Sequence, residues 1–414
     1  MKMRLVIVWC VLLLMGPALP ARAQSYVEPP EVSPRDFALM AWDQSPSDPH
    51  HLDLMRQAGL NISGFCSPGD LAKVQAAKMS CFVDDERAND YDWTGMPDRK
   101  ELQKKIDALV AEVRNHPAAL GFLLRDEPPA AMMPGLGEVA AMLRRAMPGA
   151  WPYVNLLPNY ADAAQLGAPT YEAYVEKFVR DFHPPLLSYD NYSLFNGRMM
   201  GRFYTNLATF RDASQEAGIP FWNVILANSH FSYMEPTDAT LRLQAYSTIA
   251  YGGRGIEYFT YFSPKVGNFR LAPVDQFGHR TATWYMLRRL NNQIRELAPW
   301  LIRLHSTGVY HSAPLPEGAE PVAKSRLVKQ VRATNFQSPP VAPEYLIGEF
   351  QDDKGHPFLM IVNKSLEYSM RYAIDLKDQG QHLVLVSPYT GQLVSFAGEM
   401  NWLAPGAGVL LEVK

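Results

Sequence analysis

The chain has 414 residues, a formal net charge of −3 and a hydrophobic fraction of 47%. That length exceeds one ordinary core and suits a large domain joined to a small one. The near-balanced charge excludes the basic excess that nucleic acid or an anionic membrane surface would call for, so neither is an expected partner.

Residues 1–23 read as a signal peptide. Lys2 and Arg4 give a short basic start, an apolar run extends from Leu5 to about Met15, and Ala21-Arg22-Ala23 places cleavage before Gln24. The run is too short to span a bilayer comfortably, and no second long one follows. The mature protein is therefore expected to be soluble, secreted or periplasmic, with no integral membrane segment. Cleavage leaves Cys66 and Cys81. An exported chain can bridge such a pair. Two buried thiols in neighbouring strands fit equally well, and the spacing matches no metal site.

From Asp36 to about Tyr310, short apolar runs alternate with longer helical stretches. The predicted strands are Phe37–Trp42, Asn61–Cys66, Met79–Val83, Leu120–Arg125, Trp151–Leu157, Leu186–Tyr189, Phe221–Leu226 and Gly255–Phe262. Several are apolar throughout, as parallel strands buried on both faces must be. Between them, Asp98–Asn115 repeats Leu102, Ile106, Leu109 and Val113 at a helical period, and Gly135–Ala146, Tyr171–Phe182, Phe203–Ala217 and Thr237–Tyr251 behave likewise. Eight such alternations predict an α/β fold, a (β/α)8 TIM barrel over residues 33–305. No dinucleotide fingerprint is present. The glycine-rich run Gly252–Gly255 precedes a strand rather than a helix and reads as a turn. After His305, proline-rich linkers separate short alternating segments such as Tyr345–Phe350, Phe358–Val362, Met370–Leu376 and Val409–Val413. Residues 306–414 are thus expected to form a small antiparallel β-sandwich-like domain.

Barrel enzymes carry their sites at the C-terminal ends of the strands. There the sequence places Trp42-Asp43, Asp126-Glu127-Pro128, Asn155, Tyr189-Asp190-Asn191-Tyr192, Trp222 and Tyr258. Carboxylates, amides and aromatics on one rim suit a sugar. The acids serve at the anomeric carbon, amides read hydroxyls, and rings stack on the apolar sugar faces. Asp43, Asp84 and Asp85 read as sugar-hydroxyl binders or as solvated loop acids. His50-His51 lacks a third ligand, so no metal is expected, and no cofactor is implied.

The sharpest pattern is His116-Pro117-Ala118-Ala119-Leu120-Gly121-Phe122-Leu123-Leu124-Arg125-Asp126-Glu127-Pro128: a helix end, an apolar strand, then an acidic pair stopped by proline. It resembles the fourth-strand motif of the large clan of retaining TIM-barrel glycosidases, including enzymes similar to glycoside hydrolase family 42. The run Tyr258-Phe259-Thr260-Tyr261 with Val274-Asp275-Gln276-Phe277-Gly278 resembles their eighth unit. The resemblance implies a glycosidase acting on an oligo- or polysaccharide, with Glu127 as general acid/base. It also implies a nucleophilic acid at the end of strand 7, and Phe221–Asn228 has none. Asp190, ending strand 6, is the first choice for the second carboxylate, and Glu235 on the following loop is the runner-up. Glu235 could instead cap the next helix. Asp126 and Glu127 could also act as a unit on an N-acetylated sugar, as in substrate-assisted hexosaminidases. The missing strand-7 acid keeps open a barrel that binds carbohydrate without cleaving it.

Overall fold

A computed structural model describes residues 28–338, 340–396 and 401–414, so the signal segment lies outside the described residues. Eight parallel strands close into a barrel: β1 (Ala38–Ala41), β2 (Ile62–Cys66), β3 (Ser80–Val83), β4 (Ala119–Asp126), β5 (Trp151–Leu156), β6 (Leu187–Asp190), β7 (Phe221–Leu226) and β8 (Gly255–Phe259). Pairing of Ala38 with Gly255 through Ala41 with Tyr258 shuts the ring. The (β/α)8 expectation therefore holds.

Strand alternation sorts the side chains into two cores. Ala38, Met40, Phe82, Tyr153 and Trp222 point into the barrel and pack on one another. Leu39, Ala41, Val83 and Val154 point outward, under the helices. Cys66 and Cys81 belong to the outer set, where a disulfide joins β2 to β3. The interior is crowded enough to dictate glycine at the start of β8. A Cβ on Gly255 would sit 2.4 Å from the Trp222 ring. Gly255→Ala is expected to destabilise the barrel by about 1–3 kcal/mol through overpacking, read as a lower urea midpoint.

The surrounding helices are fixed by ordinary caps. Asp98 caps Arg99–Val113, whose Leu102, Ile106, Leu109 and Val113 are buried at the expected period. Thr170 caps Tyr171–Phe182. Thr237 caps Asp238–Ala250 through a capping box with Thr240, so Glu235 is not the cap. That last helix buries all but two of its 13 residues. A helix buried on nearly every side needs a second cover beyond the barrel. Here the second cover is the C-terminal sheet.

That sheet runs, in spatial order, Glu320–Pro321, Leu304–His311, Tyr345–Asp352, Pro357–Asn363, Gly408–Val413, Leu383–Val386 and Leu393–Ser395. Leu346, Phe350, Phe358, Met360, Val362 and Leu410 face the barrel and join its outer core. Ile347, Leu359, Ile361, Val409 and Leu411 face the other way, onto a three-stranded sheet of Val328–Thr334, Met370–Leu376 and Trp402–Leu403. Alternating strands buried on both faces thus make a sandwich welded to the barrel.

Candidate active site

The acidic pair after β4 is presented by a local irregularity. The β4–β5 register slips between Leu123 and Arg125, and a bulge of this kind re-aims the residues that follow. Asp126 then pairs with Asn155, and the Glu127 amide donates to the Asn155 carbonyl at 2.8 Å. Glu127 adopts φ +46°, a left-handed conformation that a non-glycine residue takes only when its surroundings enforce it. The enforcement is visible: the Tyr174 hydroxyl donates to the Pro128 carbonyl at 2.8 Å. Glu127 stays accessible at the mouth of the barrel.

Asp190 ends β6 and is buried. Its carboxyl lies within hydrogen-bonding reach of that of Glu127, a contact that favours a proton on one of them. Burial pushes Asp190 well above the usual carboxylate range, and the charges of Glu127 and Asp126 push it further. Burial also raises Glu127. Asp126 is pushed up to about 6, again chiefly by burial. Three carboxyls with raised proton affinity therefore meet at the C-terminal end of the barrel, and they titrate as a set.

Beneath them runs a buried polar chain. Asn155 Nδ2 donates to Asp126 Oδ1 at 3.1 Å and to Asp190 Oδ1 at 3.0 Å. Ser188 Oγ lies 3.0 Å from Asn155 Oδ1 and 2.9 Å from Glu257 Oε1. The Tyr153 hydroxyl is 2.6 Å from Glu257 Oε2 and accepts from Trp42 Nε1 at 3.1 Å. Glu257, in the middle of β8, is fully buried and pushed up to about 7 by that burial. Sequence reasoning missed it, because it sits in an otherwise apolar run. The available signal was the alternation of β8: with Ile256 and Tyr258 facing out, the acid between them must face in.

Aromatic rings wall the site. Tyr192 stacks on Phe259 at 5.3 Å, and Phe259 lies 5.9 Å from Trp42. Tyr160, 37% exposed, lies under the Arg202 guanidinium at 4.4 Å. Asp43 accepts from the amides of Phe262 and Gln44 at 3.0 and 2.9 Å, which ties the loops after β1 and β8 together. Burial pushes it up to about 6. Asn206 accepts from the Asn159 amide at 3.0 Å and from Asn191 Nδ2 at 2.9 Å, fixing the loops after β5 and β6.

The structure thus brings together Glu127, Asp190, Asp126, Asn155, Trp42, Asp43 and Tyr192. It does not bring four other candidates to the site. Tyr189 is fully buried on the outer face of β6, stacked on Phe210 at 4.0 Å. Tyr258 is buried outward and bonded to Asn291. Trp222 faces inward but lies deep, packed on Phe82, Tyr153 and Trp151. Glu235 is exposed and paired with Arg270 at 3.2 Å. Glu235→Gln is expected to change any turnover by less than about twofold, since an exposed pair contributes only about 0–1 kcal/mol; steady-state rates beside wild type would check it. His230 is buried, bonded to Asn228 Oδ1 at 2.8 Å through Nδ1 and stacked on Phe269, and burial lowers it to about 4, so it is neutral. Asp84 accepts from Gln44 and Asn89, and Asp85 pairs with Arg87, so both serve loop structure. His51 pairs with Asp48 at 3.0 Å. Among the described residues no cluster of His, Cys, Asp and Glu is arranged to hold a metal ion.

No family model matches the sequence, and no curated protein is similar to it in sequence. Solved structures are similar in fold. A GH42 β-galactosidase from G. stearothermophilus superposes with a TM-score of 0.57 over 91% of this chain and 98% of its own, at 9% identity. A family 5 glycoside hydrolase from Bacteroides vulgatus gives 0.54, over 91% and 89%, at 12% identity. The chain is built on the barrel fold of these glycoside hydrolases. It spans about three fifths of a β-galactosidase from Marinomonas ef1, matching 66% of this chain and 62% of that one at a TM-score of 0.48 and 10% identity.

Proposed function

We propose that this chain is an exported glycoside hydrolase that cleaves an oligo- or polysaccharide, with Glu127 as general acid/base and Asp190 as the second carboxylate. The observation that carries the proposal is the meeting of the Glu127 and Asp190 carboxyls at the barrel mouth, where burial raises the proton affinity of both. A proton held on a carboxyl at neutral pH is what protonation of a leaving glycosidic oxygen requires. Glu127 has the accessible position and delivers it. The C–O bond breaks as the proton reaches that oxygen, water supplies the hydroxyl of the new reducing end, and the proton released by that water returns to the Glu127–Asp190 pair.

Asp190 is anchored by Asn155 and stays in place. The resting carboxyls are in contact, closer than the roughly 5–5.5 Å of a retaining pair or 6.5–9.5 Å of an inverting pair. In this reading a sugar entering the cleft separates them, and the exposed Glu127 side chain is the one displaced, since Asp190 is buried and bonded to Asn155. Asp190 takes the place of the acid that strand 7 lacks. Trp42, Tyr192 and Phe259 offer stacking faces, and Asp43 and Asp126 offer acceptors for sugar hydroxyls.

Export rests on the basic-apolar-small pattern of residues 1–23 and agrees with a Cys66–Cys81 bridge, which an oxidising compartment preserves. Among the described residues no helix is long and apolar enough to cross a membrane. Residues 33–305 form the catalytic unit in this reading, and 306–414 brace it.

Incubation with a panel of plant and microbial polysaccharides and aryl glycosides tests the proposal. New reducing ends are the expected result. Retention on a polysaccharide column without any release would instead favour the barrel that binds without cleaving.

A further inference from the structure

We infer that Glu257 is held as a neutral carboxylic acid that fixes the direction of a hydrogen-bond chain through Ser188 and Asn155, and thereby positions Asp126 and Asp190. It is a positioning residue, more than one side chain removed from any sugar. Its consequence for rate rests on the glycosidase reading; its protonation does not.

The hydrogens available to this cluster are few. Four buried oxygen–oxygen contacts meet around Ser188: Tyr153 to Glu257 at 2.6 Å, Tyr153 to Ser188 at 2.9 Å, Ser188 to Glu257 at 2.9 Å, and Ser188 to Asn155 Oδ1 at 3.0 Å. Tyr153 and Ser188 bring one hydroxyl hydrogen each. If Glu257 were ionised, both would be drawn to it, and Asn155 Oδ1 would face a serine oxygen with no hydrogen between them. Turning the Asn155 amide over would supply that hydrogen but remove both N–H donors from Asp126 and Asp190. A proton on Glu257 Oε1 resolves the conflict. The acid O–H donates to Ser188 Oγ, Ser188 donates to Asn155 Oδ1, and Asn155 Nδ2 donates to both aspartates. Tyr153 donates to Glu257 Oε2 and accepts from Trp42 Nε1. One contact, Tyr153 to Ser188, then lacks a hydrogen, where an ionised Glu257 leaves two, and every polar group has a partner, as buried polar groups require.

The surroundings agree. Glu257 is fully buried, and Met40 and Val224 are its register partners in β1 and β7. The titratable groups facing it are Tyr153 from β5 and Asp126 from β4, and neither supplies a positive charge. When Glu257 ionises, Ser188 turns to it and Asn155 loses the contact that fixes its amide. The cluster above then loses its alignment.

The test pairs infrared spectroscopy with kinetics on wild type, Glu257→Gln and Ser188→Ala, with near-ultraviolet circular dichroism to establish that each is folded. At pH 6 the wild type should show the carbonyl band of a protonated carboxyl that Glu257→Gln lacks and Ser188→Ala keeps. No band lost in Glu257→Gln would overturn the inference. Between pH 6 and 8, kcat/KM of the wild type should fall by about tenfold more than that of Glu257→Gln, as a group titrating at about 7 requires. Ser188→Ala should be slow already at pH 6. Identical pH profiles for wild type and Glu257→Gln would contradict the positioning role. A wild type that hydrolyses nothing would sink the glycosidase reading, and the infrared band would still decide the state of Glu257.

Discussion

Glu127→Gln is expected to lower kcat/KM on an unactivated glycoside by about 10²–10⁴-fold, the usual scale of general acid–base help. Glutamine keeps the length of the side chain and can still bond Asp190, so the fold and the φ +46° turn should survive. What disappears is the transferable proton. The pH profile should change with it. The wild-type set holds more than one proton at low pH and must lose one to give an active form with a single shared proton; it loses activity again when that proton leaves. A bell is expected, with its alkaline side displaced upward from ordinary carboxylates because burial raises Asp190 and Glu127. In Glu127→Gln that side should vanish from the residual rate. Rates measured from pH 4 to 9 would check both statements.

Asp190→Asn is expected to reduce turnover by a comparable 10²–10⁴-fold, on the same scale for a positioned acid or base. Its second effect has the opposite sense. Asp190 has a folded-state proton affinity above its unfolded value. Such a carboxyl imposes no penalty on folding below the unfolded pKa. It erodes stability as pH rises from there through the folded pKa. Asparagine removes that erosion. The variant should therefore melt above wild type at pH 8, and the gap should close toward pH 4. A catalytic acid kept in a buried place costs stability, and its replacement exposes the trade. Melting curves at the two pH values would check it; an Asp190→Asn that melts lower at pH 8 would show the carboxylate to be a structural support.

The barrel was legible because its signal is physical and repeated. A parallel strand covered on both faces must be apolar along its length, and eight such runs alternated with helical stretches. The C-terminal sandwich was legible by its shorter alternation. Glu127 and Asp190 stood out as acids that end apolar strands. The failures share a cause. Proximity to a strand end does not by itself carry the two-residue period that decides which way a side chain faces. Once Asp190 faces the interior, Tyr189 must face the helices; once Glu257 faces in, Tyr258 faces out. Trp222 has the right parity but the wrong depth, level with Gly255, and depth depends on register between strands, which one sequence does not display. The Thr237 cap left Glu235 free to pair with Arg270 on the surface, a partner 35 residues away that no local pattern announces. The bulge that turns Glu127 into the cleft was likewise invisible in a run of apolar residues.

The central claim, that Glu127 delivers the proton to the leaving oxygen, is tested most directly by comparing leaving groups. Wild type and Glu127→Gln would be assayed on glycosides of one sugar carrying aryl groups of graded acidity and one alkyl group. The account expects a deficit of about 10²-fold or more for the alkyl glycoside that shrinks steadily toward the most acidic phenol, which departs without a proton. A deficit of equal size across the series, or none, would contradict it.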